Sequence, residues 1–164
     1  MKVFLVRHAI AHDRNRKRWP NDALRPLTPA GKQKFRKAAR GLATVLPKSA
    51  ALLTSPFVRA RHTADLLARE MGRKKIVEVR ELASGEPAHE VFTMLRARKD
   101  KAVVLVGHEP NLSTLLSACL NGHARLKIDF KKGGAACIEF TRRIEPGRAC
   151  LVWCIPPRVL RAMG

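Results

Sequence analysis

Val3-Phe4-Leu5-Val6-Arg7-His8 is a run of four apolar residues that ends on an arginine–histidine pair. Such a run, half of it valine, reads as a short buried strand. Its carboxyl end delivers two ionisable side chains to the place where open α/β sheets bind ligands. Arginine presents a fork of N–H donors that suits phosphate, and histidine is a nucleophile, base or acid near neutral pH. A second run ends in the same manner, Val103-Val104-Leu105-Val106-Gly107-His108.

Outward from these two strands the chain alternates regularly. An irregular basic stretch, 9–27, carries prolines at 20 and 26. Thr28-Pro29 then reads as an N-cap with proline at the first helical position, opening a helix over 29–46. Phe35, Ala38, Ala39, Leu42 and Leu46 supply its apolar face. A short strand over 51–54 runs into Ser55-Pro56, a second cap-plus-proline signal, predicting a helix through Met71 that stops at Gly72. A weak strand over 76–79, a helix over 87–98, the strand over 102–106 and a helix over 110–120 follow. Two strands, 136–141 and 149–155, and a short helical tail after Pro157 complete the chain. Strands alternating with helices predict a three-layer α/β/α sandwich around a largely parallel sheet. The final two strands read as a candidate hairpin, which makes that sheet mixed. No repeat, linker or boundary interrupts 1–164, so a single domain is expected.

Composition narrows the class. With 164 residues, 46% of them hydrophobic, the chain is long enough for a proper core. No apolar run approaches the ~20 residues of a membrane span. The apolar stretch after Lys2 is too short for a signal peptide, so a cytoplasmic protein is expected. Cys119, Cys137, Cys150 and Cys154 form no Cys-x-x-Cys pair and are expected as buried free thiols. Strand alternation puts Cys150 and Cys154 on one face, about 13 Å apart and too far to bridge. The net charge of +20 comes from 33 Lys and Arg against 13 Asp and Glu, and it admits two readings. One is a solvated surface; the other is attraction for phosphorylated proteins, polyphosphate or nucleic acid. Clusters fall at 14–18, 73–75 and 131–132. With no tyrosine and 5% aromatic residues, stacking platforms for single strands are scarce.

If the strands ending at residues 7, 54 and 107 are neighbours, Arg7, His8, Arg59 and His108 converge. Arg59 falls in the first turns of its helix, near the positive end, where a cation is unfavourable unless it helps bind an anion. Two guanidinium groups and two imidazoles suit a tetrahedral phosphoryl group. His12, His62, His89 and His123 lack the spacing of a metal set.

Four motifs together resemble the histidine phosphatase superfamily, phosphoglycerate mutase-like, and within it the compact bacterial phosphohistidine phosphatases. They are Arg7-His8, Leu27-Thr28-Pro29-Ala30-Gly31, Ser55-Pro56-x-x-Arg59-Ala60-x-x-Thr63-Ala64 and Gly107-His108-Glu109-Pro110. They cover the chain from residue 1 to about 120. The first motif usually continues with glycine, where this chain has Ala9.

The resemblance implies a hydrolase in which His8 is the nucleophile, forming a covalent phosphohistidine that water then cleaves. It implies Arg7 and Arg59 as clamps on the phosphoryl oxygens, His108 as a second imidazole donor, and no metal or other cofactor. For the general acid, Glu81-Leu82-Ala83-Ser84-Gly85 matches the spacing of the superfamily's mutase-like members. Glu81 is therefore the expected acid, with Glu86, Glu109 and Asp13 as competitors. The expected substrate is a phosphorylated protein, phosphohistidine foremost, or a small phosphorylated molecule. The competing expectation is a non-catalytic basic module that binds polyphosphate or nucleic acid. A mutase ranks below both, because no extra segment encloses a phosphoglycerate. Oligomeric state is left open by the sequence.

Overall fold

The computed structural model describes residues 1–73, 75–122 and 126–164; His123 and Lys74, named in the sequence reading, lie outside them. Six strands form one sheet: β1 (Lys2–Arg7), β2 (Ala51–Thr54), β3 (Val77–Glu78), β4 (Ala102–Gly107), β5 (Ala135–Phe140) and β6 (Ala149–Ile155). Their order is β3-β2-β4-β1-β5-β6. β1, β2, β3 and β4 run parallel, while β5 is antiparallel to β1 and to β6. The mixed sheet with its terminal hairpin is the expected one. Helices α1 (Pro29–Val45), α2 (Val58–Glu70) and α5 (Pro157–Met163) supply one layer, and α3 (Ala88–Arg96) and α4 (Asn111–Asn121) the other.

Each central strand is apolar on both faces because each face meets helices. Phe4, Val6, Leu52, Val104 and Cys137 pack toward α1, α2 and α5, and Val3, Leu5, Leu53, Val103 and Ile138 toward α3 and α4. Thr28 caps α1 as expected, its Oγ1 accepting from Gly31 N at 2.9 Å. Two glycines bring the α1 layer close. A Cβ at Gly31 would run into the Ile10 carbonyl, and one at Gly41 into the Leu160 carbonyl of α5.

Two local expectations are corrected. Ser55-Pro56 does not open α2: the helix begins at Val58 with Phe57 as its N-cap and no side-chain cap bond. Ser55 is held instead by tertiary partners, described below. A bulge in β6 at the Cys137/Ile138 register pairs Ile138 with Leu151 and Cys137 with Trp153, leaving Val152 as the extra residue. The alternation therefore reverses between Cys150 and Cys154, which face opposite sides of the sheet. Both are exposed; only Cys119 and Cys137 are buried. Among the described residues no helix is long and apolar enough to cross a membrane.

Candidate active site

Register assembles the site. β1 and β4 pair with Arg7 beside Gly107, and His8 N donates to Gly107 O at 3.0 Å. β2 lies on the other side of β4, and Ser55 N donates to Val106 O at 3.0 Å. His8, His108 and Ser55 thus stand abreast at the carboxyl edge, each just past its strand. α2 starts three residues after Ser55 and brings Arg59 back over that edge.

The four residues of the sequence reading line one hollow of about 270 Å³, together with His12, Asp13, Arg14, Arg25, Ser84, Glu109 and Lys132. The ring centroids of His8 and His108 are 5.1 Å apart. His8 Nδ1 lies 2.7 Å from the carbonyl of Ala9. A carbonyl only accepts, so Nδ1 carries the proton in the neutral ring and Nε2 holds the lone pair. Burial, opposed by that hydrogen bond and reinforced by the charges of Arg59 and Arg7, pushes the His8 pKa down to about 3. The ring is neutral at pH 7, the state a nucleophile requires.

Ala9 serves here as well as glycine. The structure has no positive φ at Ala9, so no left-handed conformation is demanded. Its N–H donates to Thr63 Oγ1 at 3.0 Å, while Thr63 Oγ1 donates to Arg59 O at 2.7 Å. Thr63, in the third motif, therefore couples the loop after His8 to the turn that carries Arg59.

His108 Nε2 is 2.8 Å from Ser55 Oγ, which accepts from Phe57 N at 3.2 Å. Ser55 Oγ–H therefore donates to Nε2, which leaves the ring proton of neutral His108 on Nδ1. That Nδ1 is buried without a partner, as are Nε of Arg7 and Nε of Arg59. Burial first, then the neighbouring His8 and Arg59, push the His108 pKa down to about 2. An orphaned buried donor costs on the order of 1–3 kcal/mol. All three belong to residues that line the one hollow, where an anion would satisfy the cationic side chains.

The arginines are anchored by their other nitrogens. Arg7 Nη1 donates to Phe130 O at 2.6 Å. Arg59 Nη1 donates to the Asp22 carbonyl at 2.8 Å and lies 3.2 Å from Asp22 Oδ2, and its guanidinium stacks 4.9 Å over Phe57. Burial, only partly offset by Asp22, lowers the Arg59 pKa to about 10, so the group stays charged at neutrality.

Sequence reasoning missed Asp22 and Arg25. Arg25 is 7% exposed; its Nε donates to Asp22 Oδ1 at 2.7 Å and its Nη1 to His12 O at 2.6 Å. Hydrogen bonding from Arg25 is the largest influence holding the Asp22 carboxyl below its ordinary value. In sequence they are one acid and one base of a basic loop; only their Asp-x-x-Arg spacing before Pro26 hints at a pair. Glu81 is placed elsewhere. It lines a neighbouring hollow with Leu82, Asn111 and Leu112, on which His108 also borders, and not the one that holds His8 and the arginines. The carboxylates on the wall of the latter are Asp13 and Glu109. Among the described residues no three His, Cys, Asp or Glu side chains group as metal ligands do.

The pattern of the histidine phosphatase superfamily (branch 1) matches residues 3–88. An uncharacterized protein of Picosynechococcus is 33% identical over 137 residues, 82% of each chain. Among solved structures, the chain is similar to the protein histidine phosphatase SixA complexed with tungstate, with TM-score 0.82 and 24% identity over 98% of this chain and 99% of that one. It is also similar to the putative phosphohistidine phosphatase SixA from Agrobacterium tumefaciens, with TM-score 0.76 and 26% identity over 95% and 97%. Phosphoserine phosphatase from Entamoeba histolytica shares the fold at TM-score 0.69 and 16% identity, over 96% of this chain and 98% of that one. This chain belongs to the histidine phosphatase superfamily. It is an enzyme, a phosphatase whose substrates are phosphorylated molecules, and the expected alternative of a non-catalytic binding module gains no support.

Proposed function

We propose that the protein hydrolyses phosphohistidine on protein substrates through a covalent intermediate on His8. One observation carries the reading: the neutral His8 ring, pinned at Nδ1 by the Ala9 carbonyl, keeps its Nε2 lone pair in a hollow shared with the orphaned donors of Arg7, Arg59 and His108. In the first step that lone pair attacks phosphorus. The bond from phosphorus to the substrate's imidazole nitrogen breaks, and its electron pair leaves with that nitrogen, which takes up a proton. Arg7, Arg59 and His108 Nδ1–H hold the transferring oxygens, whose charge they stabilise throughout. In the second step water attacks phosphorus, the bond to His8 Nε2 breaks, its electron pair returns to the ring, and inorganic phosphate departs.

A leaving imidazole is basic and collects its proton readily, so it depends little on a carboxylic acid held protonated against the bond. The placement of Glu81 in the adjoining hollow agrees with that choice of substrate, and we assign Glu81 no step. Glu109 Oε1 is engaged by Ser113 N at 3.0 Å, at the start of α4.

The test is a substrate panel with the wild type and His8→Ala. The wild type is expected to dephosphorylate a phosphohistidine-bearing carrier protein faster than a generic aryl phosphate. Acid-labile label should appear on His8, and His8→Ala should lose turnover by on the order of a thousandfold or more. An active alanine variant would overturn the nucleophile. Hydrolysis of aryl phosphate alone would overturn the phosphohistidine substrate.

A further inference from the structure

The outer surface of α1 and α5 carries charge that phosphoryl transfer does not use. α1 bears Lys32, Lys34, Arg36, Lys37 and Arg40 and no acidic residue, and α5 adds Arg158 and Arg161, again with no acid. The two helices pack on one another. Among the described residues none of these seven cations forms an ion pair. A shallow groove on this face is lined by Ile10, Lys34, Phe35, Lys132, Pro157 and Arg161, among others. Lys132 lines both this groove and the catalytic hollow, so the two are neighbours on the surface.

We propose that this face is a docking surface for an acidic protein, the carrier of the phosphorylated histidine, and that Lys34, Lys132 and Arg161 meet an acidic segment beside the phosphorylated residue. The inference rests on the phosphohistidine reading and specifies its partner. Lys34, Lys132 and Arg161 offer three cations to carboxylates, while Ile10 and the half-buried Pro157 offer apolar surface to a side chain; Phe35 is buried beneath them. That mixture fits a peptide. A single-stranded nucleic acid asks instead for aromatic platforms under its bases, and neither tryptophan lines the groove. Uncompensated charge beside the site also raises the encounter rate with an acidic carrier and makes it salt-dependent.

The test compares Lys34→Glu/Arg161→Glu with Lys99→Glu/Lys101→Glu. The second pair changes net charge equally but precedes Ala102, at the amino end of β4 and away from the site. Turnover of a phosphohistidine carrier protein and of a small aryl phosphate is measured for both, at low and high salt. The groove pair should raise KM for the carrier on the order of tenfold at low salt, with kcat on aryl phosphate unchanged. High salt should narrow the gap, and the distant pair should behave as wild type. Lys34→Ala/Arg161→Ala should shift KM the same way by less, which guards against a folding defect in the double reversal. Equal carrier KM in the two charge-reversed proteins would overturn the proposal. So would a groove pair that loses affinity for polyphosphate or nucleic acid while keeping its carrier KM. Wild-type enzyme that hydrolyses aryl phosphate but leaves the carrier untouched is a separate outcome, and it overturns the phosphohistidine reading on which the docking proposal stands.

Discussion

The layer of α1, α2 and α5 and the layer of α3 and α4 press on opposite faces of one sheet with the same kind of apolar contact. Their outer surfaces differ. α1 and α5 show seven cations and no acid; α3 shows Glu90 and Arg96, and α4 shows no charge at all. A helix needs an apolar face to pack and a polar face for solvent, and neither requirement selects a sign of charge. Folding accounts for the inner faces on both sides. It does not account for the outer face of α1, where Lys32, Arg36 and Arg40 succeed one another at i, i+4 and repel. Charge held against local stability beside the catalytic edge points to a partner, which is the argument for docking.

The largest test of the likeness between the layers is a matched pair of truncations. Leu42 in α1 and Leu95 in α3 are both fully buried. Leu42→Ala and Leu95→Ala should each destabilise the fold by about 2–5 kcal/mol in chemical denaturation. A small effect on one side alone would mean that the layers are not equivalent as core.

Acid probes the sheet edge that the layers share. His8 and His108, at about 3 and about 2, are depressed from an ordinary value of 6.5. The unfolded chain therefore binds more protons than the folded one as pH falls below 6.5, and stability declines through that window. The denaturation midpoint should be lower at about pH 5 than at about pH 7. His8→Asn/His108→Asn should flatten that difference. A slope that survives in the double variant would move the acid weakness from the edge into one of the helical layers.

The smallest effect sharpens the contrast in charge. Arg36→Glu turns two repulsive i, i+4 pairs in α1 into attractive ones and should raise stability by about 0.5–1 kcal/mol. Arg96→Glu in α3 should bring no such gain, because it removes a cation that donates to the Ile144 carbonyl at 2.9 Å. A neutral or destabilising Arg36→Glu would show that the one-signed face carries no strain.

Much of this was open to reading in advance where the physics is local. The apolar runs ending at His8 and His108 specified strands because four to six such residues between polar flanks have few other uses. Thr28 was legible as a cap because the bond that caps α1, from Gly31 N, lies within its own turn, and its long 3.4 Å bond to the remote Ile10 carbonyl leaves that cap in place. Ser55-Pro56 repeats the same signal and misleads, because a group remote in sequence, the His108 ring, competes for that serine. The β6 bulge was illegible for a similar reason: it depends on register against β5, and a single residue of slip reverses every face beyond it.

Residue order alone indicated most of the strands and helices, where the cations sit along the chain, and which four side chains line one hollow. These follow from periodicity and from short motifs, whose energies act within a few residues. Packing in three dimensions settled the rest. It chose the tautomer of His8 through the Ala9 carbonyl and brought Asp22 and Arg25 to Arg59. It also separated Glu81 from the hollow and laid α1 beside α5 next to the site. Each of those depends on which distant segments become neighbours, and that is decided by the burial of the whole sheet rather than by any stretch of it.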